Sequence, residues 1–191
     1  MQFKRAGKFI LNKLRNELPA HLSYHGIDHT MDVYAAAERI AKEKGISNYE
    51  QKVLLTAALF HDSGFIKQRE GHEAESCNFA RQYLPLYGYH AAEIELICGM
   101  IMATHIPQSP QTYLEEILCD ADLDYLGRDD FFSTGNKLFE ELKSEGLIKS
   151  EKEWNKIQEG FMTKHHYHTA NSIKLRQAKK EEYLNLVKSK I

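Results

Sequence analysis

Strand-like alternation of apolar and polar residues is missing from this chain. Its apolar residues recur at helical spacing instead, which excludes a sheet-dominated fold. Charge of one sign is also lacking. Twenty-five Lys and Arg stand against 27 Asp and Glu, a formal net charge of −2, which argues against nucleic-acid binding by bulk charge. Cysteine is scarce. Cys77, Cys98 and Cys119 are odd in number, form no CxxC pair and sit in apolar helical contexts, the pattern of small buried thiols in a reducing cytosol. No long apolar run occurs. The most apolar region, around Ile94 to Thr104, is flanked by Glu93, includes Glu95, and is too short to span a bilayer. The opening Met1-Gln2-Phe3-Lys4-Arg5 has no secretory character, so a cytoplasmic protein with no membrane partner is expected. Repeats, low-complexity tracts and linkers rich in Pro or Ser are absent as well.

What is present is one helix after another. Phe3, Ile10, Leu11, Leu14 and Leu18 form the stripe of a first amphipathic helix over 2–18, which Pro19 ends. A second helix is predicted from Asp28 to Lys44, with Gly45 as its stop. A third is capped by Asn48, and Ser63 to Gly71 reads as a loop. Further helices are predicted at 72–84, 91–104, 112–126, 129–145, 150–166 and 168–188. With 191 residues, 42% hydrophobic and 27% charged, the chain is expected to be one all-α domain whose last helices form a lid or subdomain.

Several polar residues fall on faces that should be buried. Val53 to Phe60 is apolar on nearly all sides, so the His61-Asp62 pair that follows it is expected inside. Burying such groups is costly unless they are paired or bind a metal, and an imidazole beside a carboxylate suits a divalent cation. His29 shares a face with Val33, Ala36, Ala37 and Ile40; Asp122 lies over Leu118 and Cys119. His105 is expected on a face with Ile94, Ile97, Cys98, Ile101 and Met102. Singly, each reads as a hydrogen-bonded core residue or a helix cap. Together, one metal centre explains them with a single cause.

These residues resemble the HD-domain superfamily of metal-dependent phosphohydrolases. The resemblance runs over about residues 20–128 through four words in order: YHGIDHT at 24–30, AALFHDSG at 57–64, GHEAES at 71–76 and ILCDADLDYLG at 117–127. It implies an all-helical fold with a divalent ion (Mn, Fe, Co, Ni, Zn or Mg) held between helices by His29, His61, Asp62 and Asp122. Asp120 would then stand behind the ligands, and Asp124 would be a cap or surface residue. YHGIDHT is similar to the YHNxxHA word of cyclic-nucleotide phosphodiesterases, with Gly26 and Thr30 in place of Asn and Ala. Carried over, His25 protonates the leaving group; otherwise it is a loop residue bonded to backbone. His72 and His105 occupy the order of the extra ligands in two-metal members, with Asp62 bridging. In dNTP triphosphohydrolases a similar word makes His72 and Glu73 catalytic beside one metal. The implied activity is attack of metal-activated water on a small phosphoester, a nucleotide or related molecule. A di-iron oxygenase and a noncatalytic binding module are the alternatives.

Other features read as structural. His165-His166-Tyr167-His168 marks a turn, Trp154 and Phe161 are core residues, and Arg128-Asp129 is a local ion pair. Lys174, Arg176, Lys179 and Lys180 form a solvated basic face.

Overall fold

The computed structural model describes residues 1–191 and contains no strand. Its α-helices are α1 (Phe3–Glu17), α2 (Ile27–Lys44), α3 (Asn48–Phe60), α4 (His72–Tyr83), α5 (Ala91–Ala103), α6 (Tyr113–Asp122), α7 (Phe131–Ser144), α8 (Glu151–Lys164) and α9 (Ala170–Lys188). No helix is long and apolar enough to cross a membrane.

Helix α3 sits at the centre because its sequence leaves it no face to solvate. Every residue from Val53 to Phe60 is buried, and α1, α2, α4, α5 and α6 pack around it. Its start is fixed by a capping box in which Ser47 Oγ accepts from the Glu50 N–H and the Glu50 carboxylate accepts from the Ser47 N–H. The cap is thus Ser47, one residue before the expected Asn48. Gly45 does end α2, in the left-handed conformation that costs glycine least.

Two expected elements are subdivided. The predicted loop 63–71 begins with a 3₁₀ turn, Ser63–Ile66, whose Gly64 lies against the start of α4. A Cβ on Gly64 would sit 1.9 Å from the His72 carbonyl oxygen, so only glycine allows this approach. The predicted 112–126 helix stops at Asp122 and resumes as a 3₁₀ turn, Asp124–Gly127.

That second turn joins the C-terminal helices to the front of the molecule. Asp124 is buried rather than a cap or surface residue. It accepts from Arg39 of α2 at 2.7 Å and from Arg176 of α9 at 2.8 and 2.9 Å. Arg176 therefore leaves the expected basic face, and so does the buried Lys180, which donates to the His165 carbonyl at 2.6 Å. Arg128 pairs with Asp130 and Asp32, not with Asp129, whose side chain stands in solvent. The His165–His168 run does form the turn between α8 and α9. Around this joint Tyr24, Leu123, Tyr125, Leu126, Phe131, Met162, Tyr183 and Val187 make a second, smaller core. All three cysteines are buried and free.

Candidate metal centre and cavity

Three helix ends converge beside α3. The first turn of α2 brings His29, the end of α3 brings His61 and Asp62, and the last residue of α6 is Asp122. His29 Nε2 lies 3.1 Å from Asp122 Oδ1 and 3.3 Å from Asp62 Oδ2. His61 Nε2 lies 3.2 Å from Asp62 Oδ2, 3.4 Å from Asp122 Oδ1 and 3.4 Å from His29 Nε2. Ligands held at about 2.1 Å from one ion are separated by about 3.0–3.4 Å in octahedral or tetrahedral geometry, so this spacing is that of a coordination shell.

The tautomers agree with a metal-binding role. His61 Nδ1–H donates to the Ala58 carbonyl at 2.8 Å, which leaves the Nε2 lone pair facing the cluster. Asp62 Oδ2 is buried without a hydrogen-bond donor, an orphan that a cation would satisfy. His72 Nδ1 likewise donates to the Arg69 carbonyl at 2.9 Å, and its Nε2 lies 3.4 Å from the other Asp62 oxygen, Oδ1. The donor set of imidazoles and carboxylates therefore fits a divalent ion, with transition metals favoured by the imidazoles.

Without an ion, protons stand in for it. Burial pulls His29 down, but Asp122 and Asp62 outweigh it and raise the imidazole to about 9. His61 is likewise raised against its burial by Asp62 and Asp122. Asp122 is held at about 2 by the two imidazoles, although burial opposes this. The folded-state pKa of His29 thus lies above its ordinary 6.5. Its contribution to stability is fully present below that ordinary value and is lost as pH rises through about 9. Thermal denaturation of chelator-stripped protein is expected to show the melting temperature falling by several degrees across this window. Protein holding a divalent ion is expected to lose the fall, because its imidazoles are already neutral.

His25 stands at the edge of the cluster and is gripped from the far end of the chain. Its Nδ1 lies 2.5 Å from Oε1 of Glu141 on α7, a fully buried carboxylate. Glu141 Oε2 accepts from the backbone N–H of Tyr24 at 2.8 Å and of His25 at 3.0 Å, and Arg69 also pairs with this carboxylate. Burial alone would raise Glu141; His25, Arg69 and the backbone hold it at about 2. It is therefore ionised, and His25 donates Nδ1–H to it. The His25 ring also stacks on Phe65, with centroids 4.1 Å apart. Burial lowers the His25 pKa despite Glu141 and Asp62, so at neutral pH the ring is neutral with Nε2 as a free acceptor.

The structure does not bring every sequence candidate into the cluster. His105 lies beyond the end of α5 with its side chain 60% exposed, and Met102 of the same predicted face is also exposed. Met102 lies within α5 but on its outer side, and His105 lies past the helix end at Ala103, where helical spacing no longer sets the direction of its side chain. His105 Nδ1 instead pairs with the buried Glu73 at 2.9 Å. Asp120 is buried, but its two oxygens accept from the backbone N–H groups of His168 and Thr169, securing the entry to α9. Glu141 and Arg69 are the residues that sequence reasoning missed. The available signal was the placement of Glu141 three residues after Leu138 and beside Leu142, on the edge of the α7 apolar stripe.

A cavity of about 240 Å³ stands over the cluster. His25, His29, Asp62, His72, Glu73 and Asp122 line one side. Leu138 and Leu142 of α7 with Trp154, Ile157, Phe161 and Met162 of α8 line the other. A floor of imidazoles and carboxylates under an apolar roof suits a small molecule with one charged end.

Fold and site together define an all-α bundle with a histidine–aspartate cluster between its helices whose donors fit a divalent ion. The chain belongs to the HD domain family, which matches it over residues 26–124. Among curated proteins none matches. Three solved structures share the fold. A protein from Lactobacillus plantarum is 18% identical, with a TM-score of 0.70 over 99% of this chain and 96% of its own. Bacillus subtilis YpgQ, in complex with ADP, is 17% identical, with a TM-score of 0.66 over 100% and 97%. A predicted HD superfamily hydrolase from an uncultured Thermotogales bacterium is 19% identical, with a TM-score of 0.61 over 95% and 89%.

Proposed function

We propose that this chain is a metal-dependent phosphohydrolase acting on a small phosphoester, a nucleotide or a related molecule. One observation carries the reading: a cluster with the spacing of a coordination shell and a carboxylate-backed imidazole line the same cavity. His29, His61, Asp62 and Asp122 would hold the ion. Bound there, a divalent ion lowers the pKa of a coordinated water toward about 7 and polarises a phosphoryl oxygen.

The chain's own residues supply the rest. His25 is neutral at rest and must take up a proton at Nε2 before giving one to the leaving oxygen. The buried Glu141 carboxylate stabilises the imidazolium while it exists and holds the ring in one tautomer. Glu73 lines the cavity beside His72 and is held in place by His105, whose Nδ1 lies 2.9 Å from its Oε1, so its carboxylate would orient groups on the substrate side of the ion. The α7 and α8 walls exclude water from the organic part of the substrate. The ADP bound to YpgQ, a protein of the same fold, supports a nucleotide.

A second ion is supported by the way Asp62 divides its oxygens. Oδ2 faces His29 and His61, whereas Oδ1 faces His72. A carboxylate so placed can bridge two ions, with His72 as a ligand to the second.

The test is to strip the protein with a chelator, reload it separately with Mn, Fe, Co, Ni, Zn or Mg, and assay phosphomonoesters, diesters and nucleotides. Phosphate or pyrophosphate release with at least one ion, abolished by the chelator, is the expected result. No turnover with any ion sinks the reading, and oxygen consumption by the iron form without phosphate release points to the oxygenase. Metal analysis of His72→Ala is expected to show the loss of one of two ions; unchanged content means a single one.

A further inference from the structure

Gln158 breaks the pattern of α8. Trp154, Phe161 and Met162 recur at helical spacing along the face that roofs the cavity, and Gln158 stands between them where that spacing calls for an apolar residue. The residue is 8% exposed, yet its amide makes no hydrogen bond within the protein. The unpaired polar atoms that are sealed from open space belong to Arg39, Asp62, Gln108, Tyr113 and His165. The Gln158 amide is unpaired without being sealed, so the surface it keeps faces the spaces that the residue lines. These are the cavity over the histidine–aspartate cluster and, behind it, an open groove with Asn136, Glu151, Asn155 and Lys190.

The facing helix makes room for this amide. Gly135 is buried in the interior of α7, where a glycine weakens a helix. A Cβ at that position would stand 2.9 Å from Gln158 Nε2. An interior glycine and an unpaired, nearly buried amide each cost stability, so the two together ask for a role outside the packing of α7 on α8.

We infer that Gln158 is a specificity residue, whose amide hydrogen-bonds the edge of an uncharged ring in the organic part of the substrate. A carboxamide carries its donor and its acceptor on one carbon, so it matches a ring edge with an acceptor beside a donor, the edge that a nucleobase offers. No partner in the protein fixes the amide, so it can take either orientation. All the charged residues that line this cavity belong to its floor, which leaves hydrogen bonding as what the roof can read. A purely apolar ring would leave both ends of the amide unpaired once it displaced water from them. That the ring belongs to a phosphoester rests on the phosphohydrolase reading; its recognition by Gln158 does not.

Trp154 is the single tryptophan of the chain and lines the cavity one helical turn before Gln158, so its fluorescence reports occupancy without turnover. The full chain is titrated with adenosine, guanosine, cytidine and uridine, and with a phenyl riboside in which benzene replaces the base. At least one nucleoside is expected to bind about tenfold more tightly than the phenyl riboside, and Gln158→Leu to abolish that preference. Gly135→Ala is expected to weaken the same nucleoside, because its Cβ displaces the amide, while the melting temperature holds or rises. Asn155→Ala, in the outer groove, is expected to bind as wild type does. The assignment is overturned if no nucleoside binds, if the phenyl riboside binds as tightly, or if Gln158→Leu keeps the preference. A loss in Asn155→Ala equal to that in Gln158→Leu overturns it too, by placing the ring in the outer groove. Nucleoside binding that depends on Gln158 in a protein that hydrolyses no phosphoester would remove the hydrolase reading and leave the specificity residue standing.

Discussion

Replacing His61 with alanine is expected to empty the metal centre and lower turnover by about a thousandfold or more, on the order of 4 kcal/mol of transition-state stabilisation. The size follows from its position. The His61 side chain is 1% exposed, and its Nε2 is within 3.4 Å of His29, Asp62 and Asp122, so it touches each of the other three members of the cluster. Its Nδ1 is spent on the Ala58 carbonyl, which fixes the ring so that Nε2 faces the cluster, and alanine removes both contacts at once. Two measurements bear on this expectation: metal content by mass spectrometry and turnover of the best substrate. A His61→Ala protein that keeps both its ion and its activity would refute the central assignment. Glutamine at the same position is expected to restore folding without restoring the ion, which separates the loss of a ligand from the loss of a core side chain.

His25→Gln is expected to reduce turnover by about a hundredfold to a thousandfold for esters with alkoxide leaving groups, and by much less for p-nitrophenyl esters. A poor leaving group needs a proton as the bond breaks, whereas p-nitrophenolate leaves without one. Glutamine preserves a hydrogen bond to Glu141 and packing on Phe65, so the local structure should survive. The measurement is kcat across a series of leaving groups. An equal loss for all of them would make His25 a positioning residue and not an acid. Metal content should be unchanged, because His25 Nδ1 is committed to Glu141 and the ring packs on Phe65 beside the cluster of His29, His61 and Asp122.

Much of the histidine–aspartate cluster was legible in the sequence because an ionisable group on an apolar face is conspicuous. His61-Asp62 follows a helix apolar all round, and His29 shares its face with residues that are all buried. Such reasoning fails where a helix ends sooner than its apolar pattern. His105 lies on the extrapolated face of α5, but the helix ends at Ala103 and the side chain turns to solvent. It also fails where charges compensate one another across long separations. Asp124 looked superficial because its hydrogen-bonding partners, Arg39 and Arg176, reach it from the distant helices α2 and α9, and its neighbour Arg128 adds only a longer contact at 3.7 Å. Glu141 was hidden in the same way among the charged residues of α7, with its partners His25 and Arg69 more than 70 positions away.

The grip of Glu141 on His25 gives the molecule an order of assembly. Synthesis runs from the N-terminus, so His29, His61, Asp62 and Asp122 all exist before residue 131 opens α7. The set that fits an ion is complete in a chain that still lacks the anchor for His25. A nascent chain at that stage holds the proposed ligands but not the carboxylate that orients His25. The same division falls at the limit of the family match, residue 124, beyond which lie both the anchor of His25 and the roof of the cavity. Divergence after that point can retune what is bound and how protons move while the metal centre stays untouched.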